Sequence, residues 1–312
     1  MRLATLYKKF PTERDALEHL EKVRWNGKIT CPFCGSDRVT VMSSQLRYHC
    51  NEENRSFSVR AKSIFEESRL DIRTWFLAIA LMLNAKKGIS AMQVSRDLGI
   101  TYKTAWYCLM RIRCAMADQG DFLKGLVEVD VAKIGGKPRK NQFLQTINTG
   151  KGTKISKKVN ILAAVERGKH GKVKAQLIPN TTSETLMEVL KKNVKSDISV
   201  LITDDAKSYH ALDKEFDRLF VTHSKEFTKG TVSINKVEGF FSLMKRGLIG
   251  QYHKLSVKYL PFYLSEFTYR YNHRLDENSF ENTLELAIEK DKCMLRYKCQ
   301  PDKKSVEICK LP

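Results

Sequence analysis

Gly125-Leu-Val-Glu-Val-Asp130-Val is an apolar, β-branched run that ends beside an acid. Ser199-Val-Leu-Ile-Thr-Asp204 repeats the pattern further on. Both read as buried strands with an Asp at the carboxyl end. Asn235-Lys-Val-Glu238-Gly-Phe-Phe-Ser-Leu-Met-Lys245 instead has helical spacing, with Asn235, Glu238 and Lys245 within about one face. Acids on two strand ends and a third on a helix form the oxygen set that hard divalent cations require, and can hold two ions about 4 Å apart. Three acids among apolar residues are costly unless cations neutralise them. Glu128 shares the strand face of Asp130 by the two-residue period and can support its role. Asp205 replaces Asp204 if the strand runs one residue longer.

The 312 residues carry 55 Lys and Arg against 35 Asp and Glu, a formal net charge of +20. That excess points to a polyanionic partner, most simply double-stranded DNA. At 42% hydrophobic and 9% aromatic the composition is not that of a disordered chain. No apolar run approaches the roughly 18–20 residues of a membrane span. No signal-peptide core follows the N-terminus. No membrane partner is therefore expected, and the expected location is cytoplasmic, associated with the nucleoid. Eight Cys are too sparse for a disulfide scaffold, so thiols or metal ligands are expected. Glycine-rich nucleotide loops are absent, which argues against ATP-driven chemistry.

Cys31-Pro-Phe-Cys34, with Cys50 fifteen residues on, makes three-quarters of a zinc ribbon. Glu53 occupies the position of a fourth Cys, and His49 or Glu53 is the candidate for completing a Zn2+ site. Residues 71–86 read as a helix that Asp71 caps. Ser90–Arg113 has a helix–Gly99–helix layout with Thr101 capping the second helix. On that second helix Lys103, Thr104, Tyr107 and Arg111 are placed to face a groove of DNA, with Ala105, Leu109 and Ile112 inward. From Ala132 to Ala175 there are twelve Lys and Arg against the single acid Glu166. Lys137, Arg139 and Lys140 in that stretch are candidate phosphate contacts beside Asp130. Tyr259, Tyr263 and Phe267 read as a core stripe, and His223 as a strand-end histidine near the acids.

The chain resembles the DDE-type insertion-sequence transposases that carry an N-terminal zinc ribbon, relatives of the Merlin transposons. The matching stretches include Cys31-Pro-Phe-Cys34, Arg55-Ser-Phe-Ser-Val, Ser63-Ile-Phe-Glu-Glu-Ser, Lys86-Lys-Gly-Ile-Ser and Lys103-Thr-Ala-Trp. They continue with Val127-Glu-Val-Asp130, Ile134-Gly-Gly-Lys137, Thr203-Asp204, Asn235-Lys-Val-Glu238-Gly-Phe, Lys245-Arg-Gly and Glu266–Asn272. The chain departs from the family at Glu53, where the ribbon's last Cys would stand, and at Val131-Ala132, where Glu-Thr is common.

The resemblance implies an α+β multidomain chain. Its parts are an N-terminal helix plus zinc-ribbon-like module over 1–62, a helix-turn-helix domain over 63–120 and an RNase H-like α/β catalytic domain over 121–275. A C-terminal tail covers 276–312. It also implies catalytic acids at Asp130, Asp204 and Glu238, with Asn235 and Lys245 as accompanying polar positions. The implied activity is cleavage at terminal inverted repeats and strand transfer, dependent on two Mg2+ (or Mn2+) ions. Pairing two ends calls for at least a dimer. The competing readings are a catalytically inactive or domesticated relative that only binds DNA, and a nuclease without strand transfer.

Overall fold

The computed structural model describes residues 1–42, 46–117, 120–135, 158–221, 233–253 and 255–289. It divides into two compact units. One comprises Met1–Gln119, Arg246–Leu255 and Ser265–Pro312; the other comprises Gly120–Lys245 and Ser256–Leu264.

The first unit starts with α1 (Leu3–Lys9) and α2 (Glu13–Trp25). Thr12 and Asp15 form a reciprocal capping box at the start of α2. A three-stranded antiparallel sheet follows, from β1 (Val39–Met42), β2 (Arg47–Cys50) and β3 (Arg55–Phe57). Trp25 packs edge-on against Tyr48, with ring centroids 5.1 Å apart, and so ties α2 to this ribbon.

α3 (Ile72–Asn84) begins where expected, with Asp71 Oδ1 accepting the Thr74 N–H at 2.6 Å. Trp75, Phe76 and Ile79 on it are buried. α4 (Ala91–Leu98) ends at Gly99, whose φ of +64° is the left-handed geometry that favours glycine. Thr101 then caps α5 (Tyr102–Ala115) through the Thr104 N–H. The helix–turn–helix layout is as the sequence indicates, and Ala105, Leu109 and Ile112 are fully buried.

The four-part division expected from the sequence is redrawn at its C-terminal end. Residues 276–289, the described part of the stretch expected as a tail, carry a packed helix. α9 (Ser279–Ile288) is amphipathic, and it packs on α2, α3 and α5. Phe280 meets Phe76 edge-to-face at 5.6 Å, and the Ala287 carbonyl accepts the Ile64 N–H. Burying Phe280, Leu284 and Ala287 contributes about 1.5–3 kcal/mol for each large side chain.

The second unit is built on a five-stranded sheet. Its strands are β4 (Leu123–Ile134), β5 (Val159–Glu166), β6 (Val173–Ile178), β7 (Val194–Asp204) and β8 (Asp217–Val221). Their spatial order is β6-β5-β4-β7-β8. The β6-β5-β4 edge is antiparallel, whereas β7 and β8 run parallel to β4. This mixed sheet is the RNase H-like arrangement expected. α6 (Ser183–Asn193) leads into β7, and α7 (Asn235–Gly247) follows β8. Strand alternation sorts the two faces. Val127, Val129 and Leu201 join Leu186 and Leu190 of α6 in one core, so Glu128 and Asp130 face the other side. α8 (Leu260–Asn272), whose residues from Ser265 on belong to the first unit, carries two members of the expected stripe, Tyr263 and Phe267, both buried, while Tyr259 is half-buried in the 3-10 turn just before it.

Among the described residues, no helix is long and apolar enough to cross a membrane.

Candidate active site and thiol cluster

The register of β4 and β7 decides where the strand-end acids lie. Glu128 pairs with Ile202 across the parallel ladder. Two residues further along each strand stand Asp130 and Asp204, on the same face by the period of two. β7 ends at Asp204, so Asp205 falls outside the strand and is exposed. Asp130 Oδ1 accepts the Val131 N–H at 2.6 Å, and Asp204 Oδ1 accepts the Ala206 N–H at 3.1 Å.

The first turn of α7 carries Glu238. Glu238, Asn235 and Lys245 are exposed, while Val237, Phe240 and Met244 are buried beneath them. Asp130 responds to this surrounding. Burial raises its carboxyl most, the Val131 N–H opposes, the charges of Asp204 and Glu238 raise it further, and Lys245 lowers it. The net displacement is upward.

Four groups from β4, β7 and α7 therefore share one electrostatic field. Their oxygens are not drawn to a single point: among the described residues the only ligand group within 4.8 Å of one another is a set of thiols. A buried carboxyl raised by burial and by two neighbouring acids is a donor that divalent cations relieve, so the residues fit such ions.

Two residues at this site extend the reading from sequence. Tyr209 is 3% exposed, in the 3-10 turn after β7. Burial and then the charges of Asp130 and Asp204 push its phenol well above the ordinary tyrosine range. Its apolar role in the α6 core hides it in the sequence. Glu128 is 1% exposed and paired with Arg167 at 2.7 Å. Lys137, Arg139, Lys140 and His223 lie outside the described residues.

In the ribbon, Cys31, Cys34 and Cys50 bring their sulfurs within 4.8 Å of one another. Cys34 Sγ is 3.6 Å from Cys50 Sγ. The Gly35 N–H bonds the Cys31 carbonyl, closing the knuckle. The Ser36 amide pulls the Cys34 thiol down, but burial and the neighbouring thiols push it up to about 11. Three crowded thiols with adjacent amides suit zinc.

Neither expected fourth ligand joins them among the described residues. His49 alternates with Cys50 along β2, so it points away, and its Nδ1 lies 3.3 Å from Ser56 Oγ. Glu53 offers Cys50 its backbone N–H, which lowers that thiol, rather than its carboxylate.

The groove-facing set on α5 is also corrected in one member. Lys103 is exposed, and Thr104 and Tyr107 are half-buried. Arg111 is 7% exposed and donates to the carbonyls of Ile64 and Glu66, at 2.9 and 2.7 Å. Helical spacing puts it on the face of Tyr107, but the loop over 64–67 covers that end. All four line one concave pocket with Glu67–Leu70.

A mixed sheet with an Asp–Asp–Glu set, behind a three-thiol ribbon and a helix-turn-helix, defines the class of zinc-ribbon DDE transposases. The ISXO2-like transposase domain matches residues 122–272, and the transposase zinc-ribbon domain matches 11–52. The chain belongs to the ISXO2-like transposases.

It is 28% identical over 278 residues to an uncharacterized protein in transposable element ISH50 of Halobacterium salinarum, covering 84% of this chain and 92% of that one. It is 32% identical over 102 residues to an uncharacterized transposase-like protein of Haemophilus influenzae, covering 32% and 81%. The Mos1 strand transfer complex is similar at 12% identity over 70% of this chain and 76% of that one. Its TM-score of 0.31 is too low to carry anything further.

Proposed function

We propose that this chain is a metal-dependent transposase that binds the terminal inverted repeats of an insertion sequence, cleaves there and joins the ends to target DNA. The carrying observation is the register that sets Asp130 beside Asp204, with Glu238 and Lys245 in the same field.

Asp130, Asp204 and Glu238 would hold two Mg2+ or Mn2+ ions. When bound, these supply an activated water or 3′-OH and offset charge on the attacking and leaving oxygens of an in-line displacement. Asp130 and Asp204 come from neighbouring strands and Glu238 from the helix, so ions held there would be gripped from three elements. Lys245 sits where it can contact a phosphate oxygen, and Asn235 offers an uncharged donor at the start of the same helix. Lys103, Thr104 and Tyr107 on α5 supply contacts to the element ends, with Lys137, Arg139 and Lys140 as further phosphate contacts. Bringing two ends together requires at least a dimer on DNA, within the bacterial nucleoid.

The test uses labelled DNA bearing the element's own ends, with Mg2+ or with EDTA, beside Asp204→Asn. Mg2+-dependent nicking at the end boundary, lost in Asp204→Asn, is expected, followed by joined products. Tight end binding without cleavage in any metal would overturn the enzymatic reading and leave a DNA-binding protein. Cleavage without joined products would leave a nuclease.

A further inference from the structure

Glu128 is sealed from solvent, yet it carries an acid into the sheet beneath the proposed metal site. Its Oε2 accepts the N–H groups of Lys236 at 2.6 Å and Val237 at 3.1 Å. Those are the second and third residues of α7, whose amides a helix leaves without internal partners. Its Oε1 accepts Arg167 Nε at 2.7 Å. Arg167 Nη2 in turn donates to Ser233 Oγ at 2.8 Å and to the Ser233 carbonyl, just before α7. The Arg167 backbone N–H bonds the Leu126 carbonyl, so the cation is itself fixed to β4.

A strand residue thus caps a helix distant in sequence. A negative charge at a helix N-terminus is favourable, and charge-assisted bonds of this kind are the strong ones. Both carboxylate oxygens are engaged by donors, whereas among the described residues Asp130 accepts through Oδ1 alone.

We propose that Glu128 is a positioning residue: it seats the start of α7 so that Glu238 meets Asp130 and Asp204 in a geometry able to hold divalent cations. This rests on the metal-dependent reading of the three acids given above.

The test is Glu128→Gln in the full chain, with Glu128→Asp, Ser233→Ala and Arg167→Lys beside it. Mn2+ affinity is measured by calorimetry, and end cleavage is resolved into kcat and KM for DNA. Glu128→Gln keeps the shape but removes the charge. Its Mn2+ affinity and kcat are each expected to fall roughly 10–100-fold, with KM and the circular dichroism spectrum unchanged. Arg167→Lys, which keeps a cation on the carboxylate, should lie between Glu128→Gln and wild type.

A folded Glu128→Gln with wild-type Mn2+ affinity and kcat overturns the proposal. If that variant does not fold, Glu128→Asp keeps the charge but shortens its reach to the Lys236 and Val237 amides, and a folded Glu128→Asp with wild-type Mn2+ affinity overturns it instead. Ser233→Ala, which leaves the Ser233 carbonyl and both of those bonds, is expected to stay near wild type. Wild type that binds Mn2+ but cuts no DNA sinks the transposase reading alone, and weaker Mn2+ binding in Glu128→Gln then still supports the positioning role. Wild type that binds no Mn2+ sinks both.

Discussion

Asp130 and Asp204 occupy equivalent positions on adjacent parallel strands, each two residues past the Glu128–Ile202 pair. The ladder between the two strands ends at that pair, and each acid is then fixed by the strand on its other side, Asp130 opposite Ala163 of β5 and Asp204 opposite Val221 of β8.

That closeness has a cost without cations. The Asp130 carboxyl lies above its ordinary value, chiefly through burial and then through Asp204 and Glu238. An acid whose native value is raised holds its proton more tightly when folded. Its contribution to stability therefore declines as pH rises from the unfolded value of 3.8 through the raised native value, and stays reduced above it. Metal-free Asp130→Asn is expected to melt a few degrees above wild type at pH 7, while losing both cleavage and stabilisation by Mn2+. Differential scanning calorimetry with and without Mn2+ checks this; a lower melting temperature in the variant would count against it.

The thiol cluster predicts about one zinc per chain, lost in Cys50→Ser. Because Glu53 turns its amide toward Cys50, Glu53→Cys is expected to complete a four-thiolate set and tighten zinc. Competition against a chromophoric chelator measures both; equal zinc affinity in wild type and Glu53→Cys would refute the second expectation.

Arg113 and Glu266 are 1% and 0% exposed and meet at 2.7 Å. Glu266 also holds Arg270 at 2.9 Å and accepts the Tyr252 hydroxyl. Removing the acid takes from two buried guanidinium groups the carboxylate they share. Glu266→Ala is expected to cost about 3–5 kcal/mol in urea unfolding, and Glu266→Gln less.

Lys103 and Arg111 should separate binding from folding. Lys103→Ala is expected to weaken DNA binding and reduce the salt slope by about one. Arg111→Ala strips the donor from the Ile64 and Glu66 carbonyls and should instead lower stability by about 1–3 kcal/mol. Fluorescence anisotropy over a salt series, beside thermal melts, distinguishes them; a large binding defect in a stable Arg111→Ala would reverse the assignment.

The strand-end acids are legible in the sequence because period-two burial and a terminal Asp are local signals. The caps at Asp71, Thr101 and Gly99 are local for the same reason. What was hidden depends on partners remote in the chain. Helical spacing gives the angle of Arg111 but not the loop over 64–67 that covers it. His49 is a nearer miss, since its alternation with Cys50 was visible and already placed it on the opposite face. α9 gives no sign of its destination, because Phe76 lies more than two hundred residues upstream of Phe280.

That last packing has a consequence for how the protein is made. The unit containing the ribbon and the helix-turn-helix takes its closing helix from residues 279–288, after the whole sheet unit has been synthesised. A ribosome that has released only the first 119 residues presents Phe76 and Ile64 without their cover. The region proposed to find DNA is thus finished after the sheet that carries the acids, and a truncated product ending before α9 would be poorly folded rather than a smaller DNA-binding protein.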